Sequence, residues 1–236
     1  MKLTSGKIQL SVTDLSNHLG CRHLTELNRS VALGKIKKPS WSDPALAVLA
    51  QRGAQHEEAY VKHLQKDGKT VVNLNGSGVE GTVEAMRKGI DIIVQAELSE
   101  AGWIGRTDIL YRVETPSQLG PWSYEVQDTK LSYNTRAATI LQLSLYTDMI
   151  GKLQGMEPEH MYVIKPGNPF EIETFRFADF KAYYRLTKGA LFGVIHREPQ
   201  QTYPEPVEQC HICRWWKECD KKRHEDDHLS LVASIR

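Results

Sequence analysis

Residues 102–132, GWIGRTDILYRVETPSQLGPWSYEVQDTKLS, decide how the rest of the chain is read. Two alternating segments rich in β-branched and aromatic residues flank TPSQLGP, a turn-forming stretch, so they predict an antiparallel hairpin. Residues two apart on a strand share a face. Asp128 and Lys130 therefore project to one side while Thr129 points away. Hairpin pairing brings Asp108 of the first strand toward Asp128 of the second. Two carboxylates with no basic residue between them repel, and a divalent cation relieves that repulsion; hard oxygen ligands suit Mg²⁺ or Mn²⁺. A Lys130 ammonium beside such an ion suits orienting or deprotonating a water, or stabilising charge on a phosphate. An Asp-x-Lys by itself is more often the pattern of a solvated strand face.

Working outward from the hairpin, the upstream chain is mostly helical. SVTDLSNHLG starts a helix capped by Ser11 or Thr13, and HLTELNRSVALG carries it to a stop at Gly34. A long helix then follows, capped by Ser42 or Asp43, with Pro44 in its first turn and Gly68 as its end. KTVVNL reads as a short strand, GTVEAMRKG as a helix and IDIIVQAEL as a buried strand. Downstream, NTRAATILQLSLYTDMIGKLQG is an amphipathic helix. HMYVIKP and FEIETFRF pair around GNP, and ADFKAYYRLTKGALFGVIHRE is a further helix. This order predicts an α/β fold, a mixed sheet flanked by helices. The expected organisation is one domain over residues 1–236, with a core from about 42 to 197 and end segments at about 13–34 and 205–222. The tail EDDHLSLVASIR has no obvious stop, as expected if the native chain is longer.

Composition narrows the class. At 236 residues the chain is long enough for a sizeable core. A net charge of +1 removes any global basic field, so a nucleic-acid partner would have to be held by a local groove. The N-terminus lacks an apolar signal core and no run of 18 apolar residues occurs, so a cytoplasmic protein is expected. Four cysteines in a reducing compartment favour metal or cluster ligation over disulfides. Cys21 stands alone near the start, while Cys210, Cys213 and Cys219 lie together in VEQCHICRWWKEC.

Two further features stand in order around the hairpin. His56, in QRGAQHEEAY, is an imidazole of the kind that ligates divalent ions, although one histidine on an amphipathic helix is by itself more often a surface residue. Gln142 and Tyr146 in QLSLY are four apart and share one face of the helix that follows the Asp128–Lys130 strand; a helix edge with a half-buried tyrosine is the plainer reading. The order His56, Asp108, Asp128-x-Lys130, Gln142-x-x-x-Tyr146, bracketed by one early and three late cysteines, resembles the RecB-type branch of the PD-(D/E)xK nucleases. It is similar in particular to the iron–sulfur subgroup. That subgroup includes the AddB nuclease domain, the CRISPR-associated RecB-like exonuclease and the nuclease domain of the Dna-replication helicase–nuclease. The resemblance spans about residues 13–220. No single motif is specific; the order together with the cysteine bracket is. The proline of the family's name is Thr107 here.

The resemblance implies a restriction-endonuclease-like core and metal-dependent hydrolysis of DNA phosphodiesters, mostly in single strands, in repair, recombination or defence. It implies that His56, Asp108, Asp128 and the Thr129 carbonyl hold Mg²⁺ or Mn²⁺. Lys130 would serve the attacking water, and Gln142 and Tyr146 would support the lysine and the DNA backbone. Glu125 has the opposite strand parity and is left out. The resemblance further implies that Cys21, Cys210, Cys213 and Cys219 bind a [4Fe–4S] cluster joining the chain ends, shielded by Trp215 and Trp216. A four-cysteine zinc site is the alternative, though such sites more often show two CxxC pairs. Arg106, Arg136, Lys152, Lys165 and Lys221–Lys222–Arg223 are candidate phosphate contacts, and Tyr133 and Trp122 candidate stacking residues. A DNA-binding module bearing the cluster and serving a helicase domain or subunit, with little activity alone, is the competing reading. A zinc-stabilised interaction domain ranks third.

Overall fold

The computed structural model describes residues 1–40 and 43–232. The chain starts with a small antiparallel hairpin, β1 (Lys2–Thr4) and β2 (Lys7–Ser11), in a stretch too short and polar to declare itself in the sequence. Helix α1 (Val12–Gly20) follows at once. Of the two possible caps, Ser11 is used, its backbone N–H and hydroxyl both donating to Asp14 Oδ2, at 2.8 and 2.7 Å. The expected unbroken run to Gly34 is instead two helices. Cys21 adopts an extended conformation, and its Sγ accepts from Leu24 N at 3.3 Å to cap α2 (Arg22–Ala32).

Asp43 caps α3 (Pro44–Lys66) by accepting from Ala45 N at 2.8 Å, with Pro44 in the first turn; the alternative cap, Ser42, lies outside the described residues. Then come β3 (Val71–Asn73), α4 (Gly78–Arg87) and β4 (Ile92–Glu100). The decisive hairpin is β5 (Trp103–Val113) and β6 (Ser123–Thr129), antiparallel with Ile109 opposite Gln127. Helix α5 (Ala137–Gln154) crosses to β7 (His160–Pro166), which runs parallel to β6, and β8 (Phe170–Arg176) returns antiparallel to β7. Helix α6 (Phe177–His196), a 3₁₀ segment (Glu208–Ile212), α7 (Trp216–Glu225) and a last 3₁₀ turn (Leu229–Leu231) finish the described chain.

The result is an open mixed sheet of eight strands flanked by helices, in the order β1-β2-β5-β6-β7-β8, with β4 on β5 and β3 on β4. Parallel pairing of β6 and β7 requires a long crossover, and α5 supplies it. Helix α5 is not amphipathic in the expected sense. Leu141, Leu143, Leu145 and Ile150 point in several directions and are all buried, because the sheet lies on one side and other helices on the rest. Gly105 on β5 allows this close fit: a Cβ there would come within 2.5 Å of Tyr146 Cε1.

The sheet carries two hydrophobic clusters. The larger gathers Leu98, Trp103, Leu110, Val126 and Met161 with α1, α5 and α6. The smaller packs Ile92, Val94, Ile109 and Ile164 with Tyr60 and Leu64 of α3. Among the described residues no helix is long and apolar enough to cross a membrane.

Candidate active site and cysteine cluster

The hairpin register runs one step past Ile109 and Gln127, which sets Asp108 opposite Asp128. Asp108 Oδ2 accepts from the backbone N–H and the hydroxyl of Thr129, at 2.8 and 3.0 Å. Asp128 is 1% exposed. Its Oδ1 accepts from Gln142 Nε2 at 2.9 Å, and Lys130 Nζ sits 2.5 Å from Oδ2. Oδ2 is thus buried with the Lys130 ammonium as its partner in an ion pair. Burial and the neighbouring Asp108 charge push the Asp128 carboxyl up to about 7, against the pull of Lys130.

A cavity of ≈ 660 Å³ opens at this end of the sheet, and Asp108, Thr129 and Lys130 line it together with Arg106 and Gln95. Its opposite wall is α3. The residues that α3 presents are Ala50, Gly53, Ala54, Glu57, Glu58 and Val61, the three- and four-residue spacing of one helical face. Glu57 is therefore on the wall and His56, one residue off that face, is not. His56 belongs to the stripe that packs on the sheet: its Nε2 lies 3.2 Å from Ile164 O and its ring 5.6 Å from that of Phe170. Burial holds the Glu57 carboxyl above its usual range; a hydrogen bond from Gln95 opposes this and the Asp108 charge adds to it. Glu57, Asp108 and Asp128 thus feel one another's charge. The signal for Glu57 was present in the sequence, since AxxGAxxE repeats at helical spacing, but the histidine beside it drew the reading.

The other expected residues fall into place differently. Gln142 holds Asp128 and not Lys130. Tyr146 donates its hydroxyl to Arg106 O at 2.7 Å, tying α5 to β5. Glu125 lies further along β6, accepting from Tyr162 and the His160 backbone, as its parity requires. Among the candidate phosphate contacts, Arg106 lines the cavity, held by Asn75 Oδ1 at 2.9 Å. Arg136 lines a separate groove beside α1. Lys165 is engaged by Glu171 and Glu173, and Lys152 by Glu100 and Asp148. Lys221 and Lys222 pair within α7, and Arg223 is buried on Pro204 O. Tyr133 is exposed, whereas Trp122 is spent on the Met86 carbonyl and the Arg112 guanidinium.

In a separate pocket all four cysteines come together, with Trp215 and Trp216 in its wall. The chain ends meet there. Gln209 Nε2 donates to Asn17 Oδ1 at 2.7 Å, and Gly20 leaves no room for a side chain beside Gln209. None of the four forms a disulfide. Burial and the three neighbouring thiols push Cys219 up to about 11, and burial raises Cys213 as well. The Trp215 indole N–H is buried there without an acceptor. As the side chains stand, no group of three or more His, Cys, Asp or Glu among the described residues is close enough to hold a metal ion. The donor chemistry nonetheless fits one at each site: carboxylates close enough to raise one another's pKa at the first, and neighbouring thiols beside an orphaned N–H at the second.

No family model matches the chain, and no curated protein matches it. Two solved structures are similar at 13% identity and a TM-score of 0.45. One is SSO0001, matched over 92% of this chain and 88% of that one. The other is described as "Putative exonuclease" from Eubacterium rectale, matched over 100% of both chains. Likeness at this level assigns neither a family nor an activity.

Proposed function

We propose that this chain is a metal-dependent deoxyribonuclease of the RecB-like kind, acting mainly on single-stranded DNA, and that its four cysteines hold a [4Fe–4S] cluster. The observation that carries the first part is the buried Asp128 carboxylate, opposite Asp108 and ion-paired with Lys130, behind a cavity that Asp108, Glu57 and Lys130 line. A protein that only grips DNA gains nothing by turning three carboxylates toward phosphates, since each weakens phosphate binding. Glu57, Asp108, Asp128 and the Thr129 carbonyl would hold Mg²⁺ or Mn²⁺, with Glu57 taking the place expected of His56. That ion would supply a Lewis acid for the scissile phosphate and a water of lowered pKa.

The chain's own groups do the rest. Thr129 fixes the Asp108 carboxylate through two hydrogen bonds, and Gln142 fixes that of Asp128. Lys130, one-third exposed, is free to turn from Asp128 toward the cavity, where its ammonium orients the water or meets charge developing on the phosphate. Among the described residues Arg106 offers the one guanidinium on the cavity wall. The cluster would be structural, fastening the start of α2 to the 3₁₀ segment and to α7. Thiols held protonated by burial must lose their protons to bind iron, so the pocket and its cofactor form together.

The test is Lys130→Ala on end-labelled single- and double-stranded DNA with saturating Mn²⁺. Cleavage should fall by about 10²–10³ while Mn²⁺ binding persists. Equal rates would make the EVQDTK strand an ordinary solvated face and favour a cluster-bearing DNA-binding module.

A further inference from the structure

Gln95 is the one residue among those described that adopts a left-handed backbone inside a strand. Its φ is 56°, whereas the other non-glycine residues with positive φ, Ser5, Ala101 and Asp227, all sit in turns. A side chain rarely adopts this region without cost, and a strained residue persists only where its surroundings hold it. Here the strand inverts. Ile92 and Val94 of β4 pack into the cluster under α3, whereas Ala96 and Leu98, at the same parity, pack into the cluster around α5. The partner strand inverts in step, with Ile109 in the first cluster and Trp103 in the second. The register is unbroken on both sides, Val94 opposite Ile109 and Ala96 opposite Thr107, so Gln95 stands opposite Asp108 at the crossover. A regular strand would keep both faces constant and could not feed both clusters.

The side chain is as specific as the backbone. Gln95 lines the catalytic cavity, and its Nε2 donates to Glu57 Oε1 at 2.6 Å. Glu57 has no other hydrogen-bond partner among the described residues, so this bond sets its orientation across the cavity from Asp108. An amide suits the task because it offers a donor without adding charge.

We infer that Gln95 is a positioning residue. Its left-handed backbone turns β4 and β5 over at the site, and its amide aims the Glu57 carboxylate toward the cation position shared with Asp108 and Asp128. This rests on the metal-site reading above.

Glycine separates the two roles, since it keeps the left-handed backbone at no steric cost and removes only the amide. Gln95→Gly should therefore fold with a melting temperature no lower than that of wild type. Its Mn²⁺ affinity, measured by calorimetry, should fall about 10–100-fold, the usual loss on removing a group that orients a metal ligand. Gln95→Ala, which restores the strain and also lacks the amide, should show the same affinity loss with a lower melting temperature. Wild-type affinity in Gln95→Gly would overturn the positioning role. Equal melting of the Gly and Ala variants would overturn the backbone role. Wild-type protein that takes up no Mn²⁺ would instead sink the metal-site reading, and this inference with it.

Discussion

Replacing Asp128 by Asn should make the metal-free protein more stable, and the gain should grow with pH. Burial and the Asp108 charge push the Asp128 carboxyl up to about 7 in the folded protein, against 3.8 when solvated. For an acid raised in this way, the folded state keeps its proton where the unfolded state has lost it. Stability therefore falls as pH rises from about 4 to about 7, and the full cost is present above that. At 1.36 kcal/mol per pKa unit the shift amounts to at most about 4 kcal/mol. Asparagine removes the charge and keeps an acceptor for Gln142 Nε2, but it turns an N–H toward the Lys130 ammonium. Allowing about half the benefit for that clash leaves roughly 2 kcal/mol, or about 4–8 °C for a chain of this size. The assay is thermal unfolding of both proteins in EDTA at pH 5, 6, 7 and 8, since the difference between them isolates this one group. Adding Mn²⁺ should then raise the melting temperature of wild type and leave the variant where it was. A variant that melts below wild type at pH 8, or a difference that does not change with pH, would refute the reasoning.

Three further expectations can be checked. Glu57→Ala should weaken Mn²⁺ binding by about tenfold or more, as expected for loss of a group that holds or orients the ion, whereas His56→Ala should leave it near wild type; the reverse ranking in calorimetry would restore His56 as the ligand. Protein purified without oxygen should be brown, and Cys21→Ala should lose the colour as completely as Cys213→Ala, with fraying of the chain ends under limited proteolysis. Trp215→Phe should keep the colour but lower the reduction potential, because hydrogen bonds to cluster sulfur help set it. Colourless wild-type protein carrying stoichiometric zinc would refute the cluster.

The elements around the site were legible in the sequence because local rules dominate there. Period-two alternation marked β5 and β6, and Asp43, Pro44 and Gly68 marked the ends of α3. Asp108 and Asp128 could be placed face to face because a hairpin register is a short-range property. The four cysteines could be grouped by chemistry, but only the packing of Gln209 on Asn17 and Gly20 shows how the chain ends meet. The break at Cys21 was hidden because its cap is a thiol, which sequence rules do not count among capping residues.

What tertiary structure alone decided is which face each element turns to the cavity. His56 and Glu57 are adjacent in sequence. One step of a helix rotates a side chain by about 100°, so the docking angle of α3 sets which of them lines the cavity. That angle is set by Tyr60 and Leu64 against Ile92, Val94 and Ile164, contacts that link residues far apart in the chain. The inversion at Gln95 was equally beyond local rules. Nothing in IDIIVQAEL departs from a plain buried strand, and its left-handed turn arises only because two separate clusters claim successive halves of β4.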